Sequence, residues 1–175
     1  SGANLTDVLR GVGLDSRIGS HYFRPSPSWG GSCFPKDLVE VNNFYNQDEL
    51  NLPLISNIIG SNEVHLHWTV NQLLSLKKNN GLKRIVLVGA AFKEDTDDLR
   101  NSPTLEMYNI LNEMGEEVII LDTDIEVTGY QSIKQLDEVP AYSLLSIMYP
   151  LKEELNKNIS NYANNNECII YYPWS

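Results

Sequence analysis

The segment Gly30–Asp37, with the sequence GGSCFPKD, places a cysteine, a lysine and an aspartate within eight residues. Two glycines before Cys33 let the backbone turn sharply or approach a ligand closely. Pro35 suits the first turn of a helix, and a helix N-terminus favours the thiolate form of a cysteine. The pattern is typical of a nucleophilic thiol. The alternative is that Cys33 is a small buried hydrophobic side chain.

A second polar stretch, Phe92–Pro103, contains Lys93 and Arg100 among several acidic residues. It follows the buried-strand pattern Arg84–Gly89, and ligands of parallel sheets bind at the carboxyl ends of strands. The stretch is therefore a candidate loop for an anionic ligand, and a solvated surface loop is the alternative.

The dinucleotide fingerprint G-x-G-x-x-G is absent from the whole chain, since only Gly89 follows the first strand pattern. A redox cofactor would therefore have to be bound mainly by something other than this chain.

The remaining patterns predict the elements that position these residues. Apolar periodicity predicts helices, and short apolar runs predict strands. The predicted helices are 4–12, 35–46, 53–78, 103–114 and a polar one near 151–163, and the predicted strands are 84–89, 117–121, 142–148 and 168–172. Alternation of strands and helices in the second half indicates a parallel sheet with right-handed crossovers, so the fold class is α/β with a helical segment before a parallel-sheet domain.

The longest predicted helix, 53–78, has an apolar stripe that a small helical region could not bury alone. We interpret the stripe as a docking surface, either between the two halves of the chain or between two copies of it. An ordinary core helix is the alternative.

Composition and charge narrow the classes of function. The chain has 175 residues with 13 basic and 23 acidic side chains, a net charge of −10, which argues against nucleic-acid binding. No apolar run reaches the roughly 18 residues of a membrane helix. Cys33 and Cys168 lack zinc-ligand spacing, so we expect no metal site and predict free thiols in a cytoplasmic protein. Cys168 lies in an apolar run and is predicted to belong to the core.

Three motifs resemble the NAD-dependent nucleotide-sugar 6-dehydrogenases, the UDP-glucose/GDP-mannose dehydrogenase family. They are Asp15–Gly19 (DSRIG), Gly30–Asp37 and Ala91–Pro103 (AFKEDTDDLRNSP), and they occur in the family's order over about residues 1–125. The family has an NAD-binding domain, a helical dimerisation domain and a C-terminal domain that binds the nucleotide sugar. The resemblance implies the last two, as a helical dimerisation domain over 1–80 and a Rossmann-like domain over 81–175.

The resemblance also implies a chemistry, in which two NAD⁺ molecules accept four electrons from the C6 alcohol of a nucleotide sugar. A cysteine captures the aldehyde, and water releases the carboxylate from a thioester. By resemblance Cys33 is the nucleophile and Asp37 assists water or proton handling, while Lys36 and Arg100 face NAD. The implied substrate contacts are Arg17, which reaches the partner subunit's site in a homodimer, and Tyr22, Arg24, Trp29, Gly30, Phe92 and Lys93.

The chain also departs from the family pattern. The family's catalytic lysine and asparagine are absent, and no arginine follows Arg100. Two hypotheses therefore remain: part of a dehydrogenase for a UDP-sugar, preferred over a GDP-sugar, or a non-catalytic module for dimerisation or nucleotide-sugar binding.

Overall fold

A computed structural model describes residues 2–20, 26–47 and 52–173. The helices are α1 (Leu5–Gly13), α2 (Phe34–Gln47), α3 (Pro53–Asn79), α4 (Pro103–Glu113) and α5 (Glu153–Asn165). The strands are β1 (Arg84–Val88), β2 (Val118–Leu121), β3 (Ser132–Ile133), β4 (Ser143–Ile147) and β5 (Ile169–Tyr171). Every predicted helix and strand is present within one to two residues of its predicted ends.

The five strands form one parallel sheet in the order β3-β2-β1-β4-β5. This order confirms the predicted parallel α/β domain, in which β2 and β3 lie on one side of β1 and β4 and β5 lie on the other. Strand β3 was not predicted, because two residues in a polar stretch have no detectable apolar period. Its pairing with β2 adds an edge strand and leaves the fold class unchanged.

Alternate residues of the sheet face two different helical layers. Ile85, Leu87 and Leu144 pack with α3 and α4, which contribute Leu73 and Met107. The intervening residues, Val86, Val88, Leu145 and Ile147, pack with Ile159 of α5. Because side chains of a strand alternate between its faces, both faces of the sheet are covered and the central strands β1, β2 and β4 are buried.

The two halves of α3 differ in burial. Leu66, Val70 and Leu73 are buried against the sheet, so this half fits the alternative of a core helix. Leu54 and Val64, in the first half, are exposed. In this half Ile55, Ile58 and Ile59 are half-buried, and the interpretation of the stripe as a docking surface stays a prediction.

Helix α1 begins after Asn4, whose side-chain oxygen accepts a hydrogen bond from the backbone N–H of Asp7 at 3.1 Å. None of its residues is buried, although Leu5, Val8 and Val12 form an apolar face. Among the described residues, no helix is long and apolar enough to cross a membrane.

Candidate functional site

Cys33 is the residue immediately before α2, and its carbonyl oxygen accepts the backbone N–H of Asp37 at 2.9 Å. The side chain is exposed, which excludes the alternative of a buried hydrophobic residue. Its sulfur lies 3.7 Å from the hydroxyl of Ser32. The thiol is therefore accessible at the positive end of a helix dipole, where negative charge is stabilised.

The two glycines before Cys33 permit close packing against the loop that follows β1. A side chain at Gly30 would overlap the carbonyl oxygen of Asn101, and a Cβ at Gly31 would lie 2.9 Å from the ring of Phe92. Gly31 also has a φ of 95°, which side-chain-bearing residues rarely adopt. The motifs Gly30–Asp37 and Ala91–Pro103 thus form one site because glycine brings their backbones together.

Two asparagines bind the backbone of this segment. The side chain of Asn62, on α3, accepts from the N–H of Trp29 at 2.9 Å and donates to its carbonyl at 3.0 Å. The side chain of Asn101 donates to the carbonyl of Gly31 at 3.0 Å. The residues preceding Cys33 are therefore held both from α3 and from the loop before α4.

Arg100 is held beside the thiol by Asp98. Its Nε and Nη2 atoms donate to the two carboxylate oxygens at 2.9 and 2.8 Å. These bonds, more than any other cause, lower the pKa of Asp98 from 3.8 to about 2, and a side-chain bond with Ser32 adds to the effect. Asp98 raises the pKa of Arg100, and Cys33 contributes to this shift. Asp98 thus joins Arg100 to Ser32, the residue next to Cys33.

Lys36 and Asp37 form an exposed ion pair, with Nζ 3.0 Å from Oδ1. Asp37 raises the pKa of Lys36, and Cys33 again contributes a smaller part. The first turn of α2 therefore places a second cation and a carboxylate near the thiol.

The ring of Phe92 packs on Gly31, and Lys93 is the next residue in the chain. The Lys93 ammonium is 5.5 Å from the centre of the Phe92 ring, and its side chain is exposed. Trp29 is half-buried, and its ring meets Phe34 edge to face at 4.8 Å. Aromatic faces and a cation therefore border the thiol-bearing segment.

The remaining predicted site residues lie elsewhere. Arg17 is exposed after α1, and its Nη2 lies 2.6 Å from Oδ2 of Asp15, which raises the pKa of Arg17. Tyr22 and Arg24 lie outside the described residues. The structure thus brings together Cys33, Lys36, Asp37, Trp29, Gly30, Phe92 and Arg100, with Lys93 adjacent, and it does not include Arg17 in this group.

A cavity of about 480 Å³ lies at the carboxyl ends of β1, β2 and β4, the edge where such sheets bind ligands. The ring of Tyr149 packs on Gly89, where a dinucleotide fingerprint would leave room for a pyrophosphate. The carboxylate of Asp122 accepts the backbone N–H groups of Ala90, Asp124 and Ile125 at 2.8 to 3.0 Å, so its oxygens are engaged by the protein. These residues do not fit an NAD pyrophosphate and ribose in this sheet.

The charge of this cavity also disfavours a phosphate inside it. One cation faces several carboxylates there: the charged lining residues are Lys152, Glu94, Asp95, Asp97, Asp122 and Asp124. Within the described ranges no group of three or more His, Cys, Asp or Glu side chains could hold a metal ion.

Sequence reasoning did not find Asn62, Asn101, Asp98 or Ser32 as parts of the site. Asn101, Asp98 and Ser32 lie inside the two motifs, so the sequence indicated their positions but not their roles. Asn62 lies in the middle of an apolar helix pattern, where an isolated polar residue is a weak indication of a buried polar contact.

The two halves of the chain match two parts of one protein family. Residues 1–64 match the central domain of the UDP-glucose/GDP-mannose dehydrogenase family, and residues 86–169 match its UDP binding domain. The chain belongs to this family, which confirms the resemblance drawn from its three motifs.

The similar proteins agree with this assignment. A UDP-glucose 6-dehydrogenase of Rickettsia prowazekii is 37% identical over 133 residues, which are 75% of this chain and 29% of that protein. The structure of a UDP-glucose dehydrogenase from Pyrobaculum islandicum matches with a TM-score of 0.68 and 29% identity, over 84% of this chain and 36% of that one. A UDP-D-ManNAc dehydrogenase from Pyrococcus horikoshii shares the fold, with a TM-score of 0.75 at 22% identity over 98% of this chain and 39% of that one. The chain therefore spans about a third of the length of such proteins.

Proposed function

We propose that this chain is part of a cytoplasmic, NAD-dependent nucleotide-sugar 6-dehydrogenase. Its substrate would be a UDP-sugar of the UDP-glucose or UDP-N-acetylmannosamine type, whose C6 alcohol is oxidised to the carboxylate. The observation that carries the proposal is the exposed thiol of Cys33 at the start of α2, with Lys36 in the first turn of that helix and Arg100 joined to the neighbouring Ser32 through Asp98. The match of residues 86–169 to a UDP binding domain supports the class of substrate.

In this proposal the thiol of Cys33 adds to the aldehyde that the first oxidation produces. A bond forms between sulfur and C6, and the carbonyl oxygen takes up a proton to give a thiohemiacetal. Loss of a hydride from C6 and of the proton from its hydroxyl group then gives a thioester, and attack by water breaks the C–S bond to release the carboxylate and the thiol. When bound, NAD⁺ accepts the hydride in each oxidation.

The other side chains would bind and orient the reactants. Asp37, one helical turn after Cys33, would accept a proton from the attacking water. Lys36 and Arg100 would contact NAD at the face of the thiol. The dinucleotide would be bound mainly by protein other than this chain, because the turn after β1 and Asp122 do not fit it.

The nucleotide sugar would lie along the loop that precedes Cys33. Lys93 offers an ammonium to a phosphate beside the Phe92 ring. Gly30 allows the close approach of backbone, and Trp29 offers an aromatic face. We propose the same substrate-binding role for Tyr22 and Arg24.

We further propose that the chain forms a homodimer. The apolar face of α1 and the exposed Leu54 and Val64 of α3 would be covered by the second copy. Arg17, which is exposed on the turn after α1, would then reach the nucleotide sugar bound by the partner subunit.

A non-catalytic binding module is the second candidate for the chain taken alone. Tyr149 packed on Gly89 favours it, because the sheet then lacks room for its own dinucleotide. The chain alone should therefore bind UDP-sugars without oxidising them.

The decisive experiment compares this chain with the protein produced from its complete reading frame. Each is incubated with NAD⁺ and UDP-glucose, UDP-N-acetylmannosamine or GDP-mannose, and NADH absorbance is followed. We expect turnover of a UDP-sugar only by the complete protein, and loss of acid formation in its Cys33→Ser variant. Acid formation by Cys33→Ser would overturn the proposed mechanism, and turnover by the chain alone would overturn the assignment of the cofactor to other protein.

A further inference from the structure

Residues 26–32, before Cys33, form neither a helix nor a strand, so their backbone polar groups need other partners. Trp29 and Gly31 obtain them from asparagine side chains distant in sequence, Asn62 and Asn101. Both asparagines and Trp29 line one groove of about 440 Å³ beneath this segment.

Asn62 bonds to Trp29 with both ends of its amide, as a neighbouring strand would. An amide is suited to this geometry because it offers a donor and an acceptor side by side. An aspartate would retain the acceptor but could not donate to the carbonyl of Trp29 at neutral pH.

Asn101 makes a matching contact from the sheet domain. Its side chain donates to the carbonyl of Gly31, and its own carbonyl accepts the N–H of Gly31 at 3.4 Å. It has a φ of 49°, in the left-handed region that asparagine and aspartate tolerate better than most residues.

The two contacts tie the segment to different parts of the molecule, α3 and the loop before α4. We propose that Asn62 and Asn101 are positioning residues that jointly set the location of the Cys33 thiol; this inference rests on the proposed function. Only Ser32 separates Gly31 from Cys33, so a shift at Gly31 is passed to the thiol.

Loss of this positioning should impair the capture of the aldehyde by the thiol more than the first oxidation. Attack requires the reacting atoms to be about 3–3.5 Å apart, and a misplacement of about 1 Å can cost roughly a hundredfold in rate. A displaced Cys33 would let the aldehyde form but fail to capture it. The aldehyde would then leave, and NADH formed per sugar consumed would fall from two towards one.

The test compares Asn62→Asp and Asn101→Asp with Asn109→Asp as the matched control. Asn109 lines the same groove on α4 and is exposed, so its substitution adds the same charge at the same place. Asn101→Asp serves as the second variant if Asn62→Asp does not fold, because Asn101 is exposed and aspartate tolerates its backbone conformation.

The first measurement is acrylamide quenching of Trp29 fluorescence in this chain, with Trp68→Phe and Trp174→Phe as the background. We expect the quenching constant to rise at least about twofold in Asn62→Asp and in Asn101→Asp, and to stay unchanged in Asn109→Asp. An unchanged constant in Asn62→Asp and Asn101→Asp would overturn the inference and leave the proposed function intact.

The second measurement uses the protein from the complete reading frame, with semicarbazide to trap released aldehyde. For Asn62→Asp and Asn101→Asp we expect trapped aldehyde and fewer than two NADH formed per sugar consumed. For Asn109→Asp we expect two NADH per sugar. Two NADH per sugar and an unchanged rate of acid formation in both Asn62→Asp and Asn101→Asp would overturn the positioning role. Acid formation by Cys33→Ser in the same assay would instead identify the proposed function as the failure.

Discussion

The two halves of α3 lie in different surroundings. In the second half, Leu73 has no exposed surface and packs against the sheet and α4. In the first half, Val64 is 71% exposed and Leu54 is 80% exposed, and α1 likewise leaves its apolar face uncovered. One continuous helix thus begins in a region with little core of its own and ends packed against the parallel sheet.

This difference indicates how the chain divides its tasks. The sheet domain buries its own apolar surface and can hold the loop Phe92–Pro103 in place. The helical region instead presents apolar surface of a kind that a second copy would cover. The candidate site lies where the two regions meet, so its geometry depends on both.

The largest expected effect is on the stability of the sheet domain. Leu73→Ala should lower the free energy of unfolding by about 3 kcal/mol, because it removes a fully buried side chain and leaves a cavity. Val64→Ala, on the same helix, should change it by less than about 0.5 kcal/mol at low protein concentration. Urea unfolding followed by circular dichroism measures both. Equal losses would show that the two halves of α3 do not differ as described.

The next effect concerns self-association. Val64→Asp should weaken the proposed dimer at least about tenfold, or about 1.4 kcal/mol, because it places a charge in an apolar interface. Asn71→Asp, at another exposed position of α3, is the control and should leave association unchanged. Sedimentation at micromolar concentration should give about twice the chain mass for the native protein. A native monomer at high concentration would contradict the dimer.

The two cysteines provide a smaller contrast between the regions. Cys33 is exposed before α2, whereas Cys168 is half-buried, with its sulfur 3.5 Å from the carbonyl of Asn166. Iodoacetamide should therefore modify Cys33 severalfold faster in the folded protein, and mass spectrometry of the digested protein measures the two rates. Similar rates in urea provide the reference for an unfolded chain. Faster reaction of Cys168 in the folded state would contradict the arrangement of the site.

The smallest expected effect is a pH-dependent change in stability from Glu106, at the contact between α3 and α4. Burial, and to a lesser extent the charge of Glu63, raises the pKa of Glu106 above its ordinary value of 4.5. The folded state then binds the proton more tightly than the unfolded state. The ionised carboxylate of Glu106 therefore destabilises the folded state: this cost is absent below pH 4.5 and develops as pH rises through the raised pKa. Glu106→Gln should stabilise the protein at pH 7 by less than about 0.5 kcal/mol, since solvent still reaches the side chain and screens its charge.

Thermal unfolding at several pH values measures this difference, with Glu113→Gln on the exposed side of α4 as the control. The advantage of Glu106→Gln should disappear on acidification. A variant that is less stable than the native protein at pH 7 would show that the carboxylate has a favourable partner instead.

Local patterns predicted the elements because their ends are set by nearby residues. Pro53 stands at the first position of α3, and Ser102 followed by Pro103 begins α4, where the Ser102 hydroxyl accepts the N–H of Thr104 at 3.2 Å. Strand β3 was missed because its two residues are defined by pairing with β2 alone. The site motifs were also readable, since glycine, cysteine and the charged residues follow one another in short segments.

The sequence by itself determined the parallel α/β domain, the position of Cys33 at a helix start and the two loops that meet there. Only the tertiary structure decided that Asn62 binds Trp29 across 33 residues and that Asn101 binds Gly31 across 70. It also decided which half of the apolar stripe on α3 is buried. The physical reason is that periodicity and caps depend on neighbours within a few residues, whereas these contacts depend on how irregular loops and whole layers pack together.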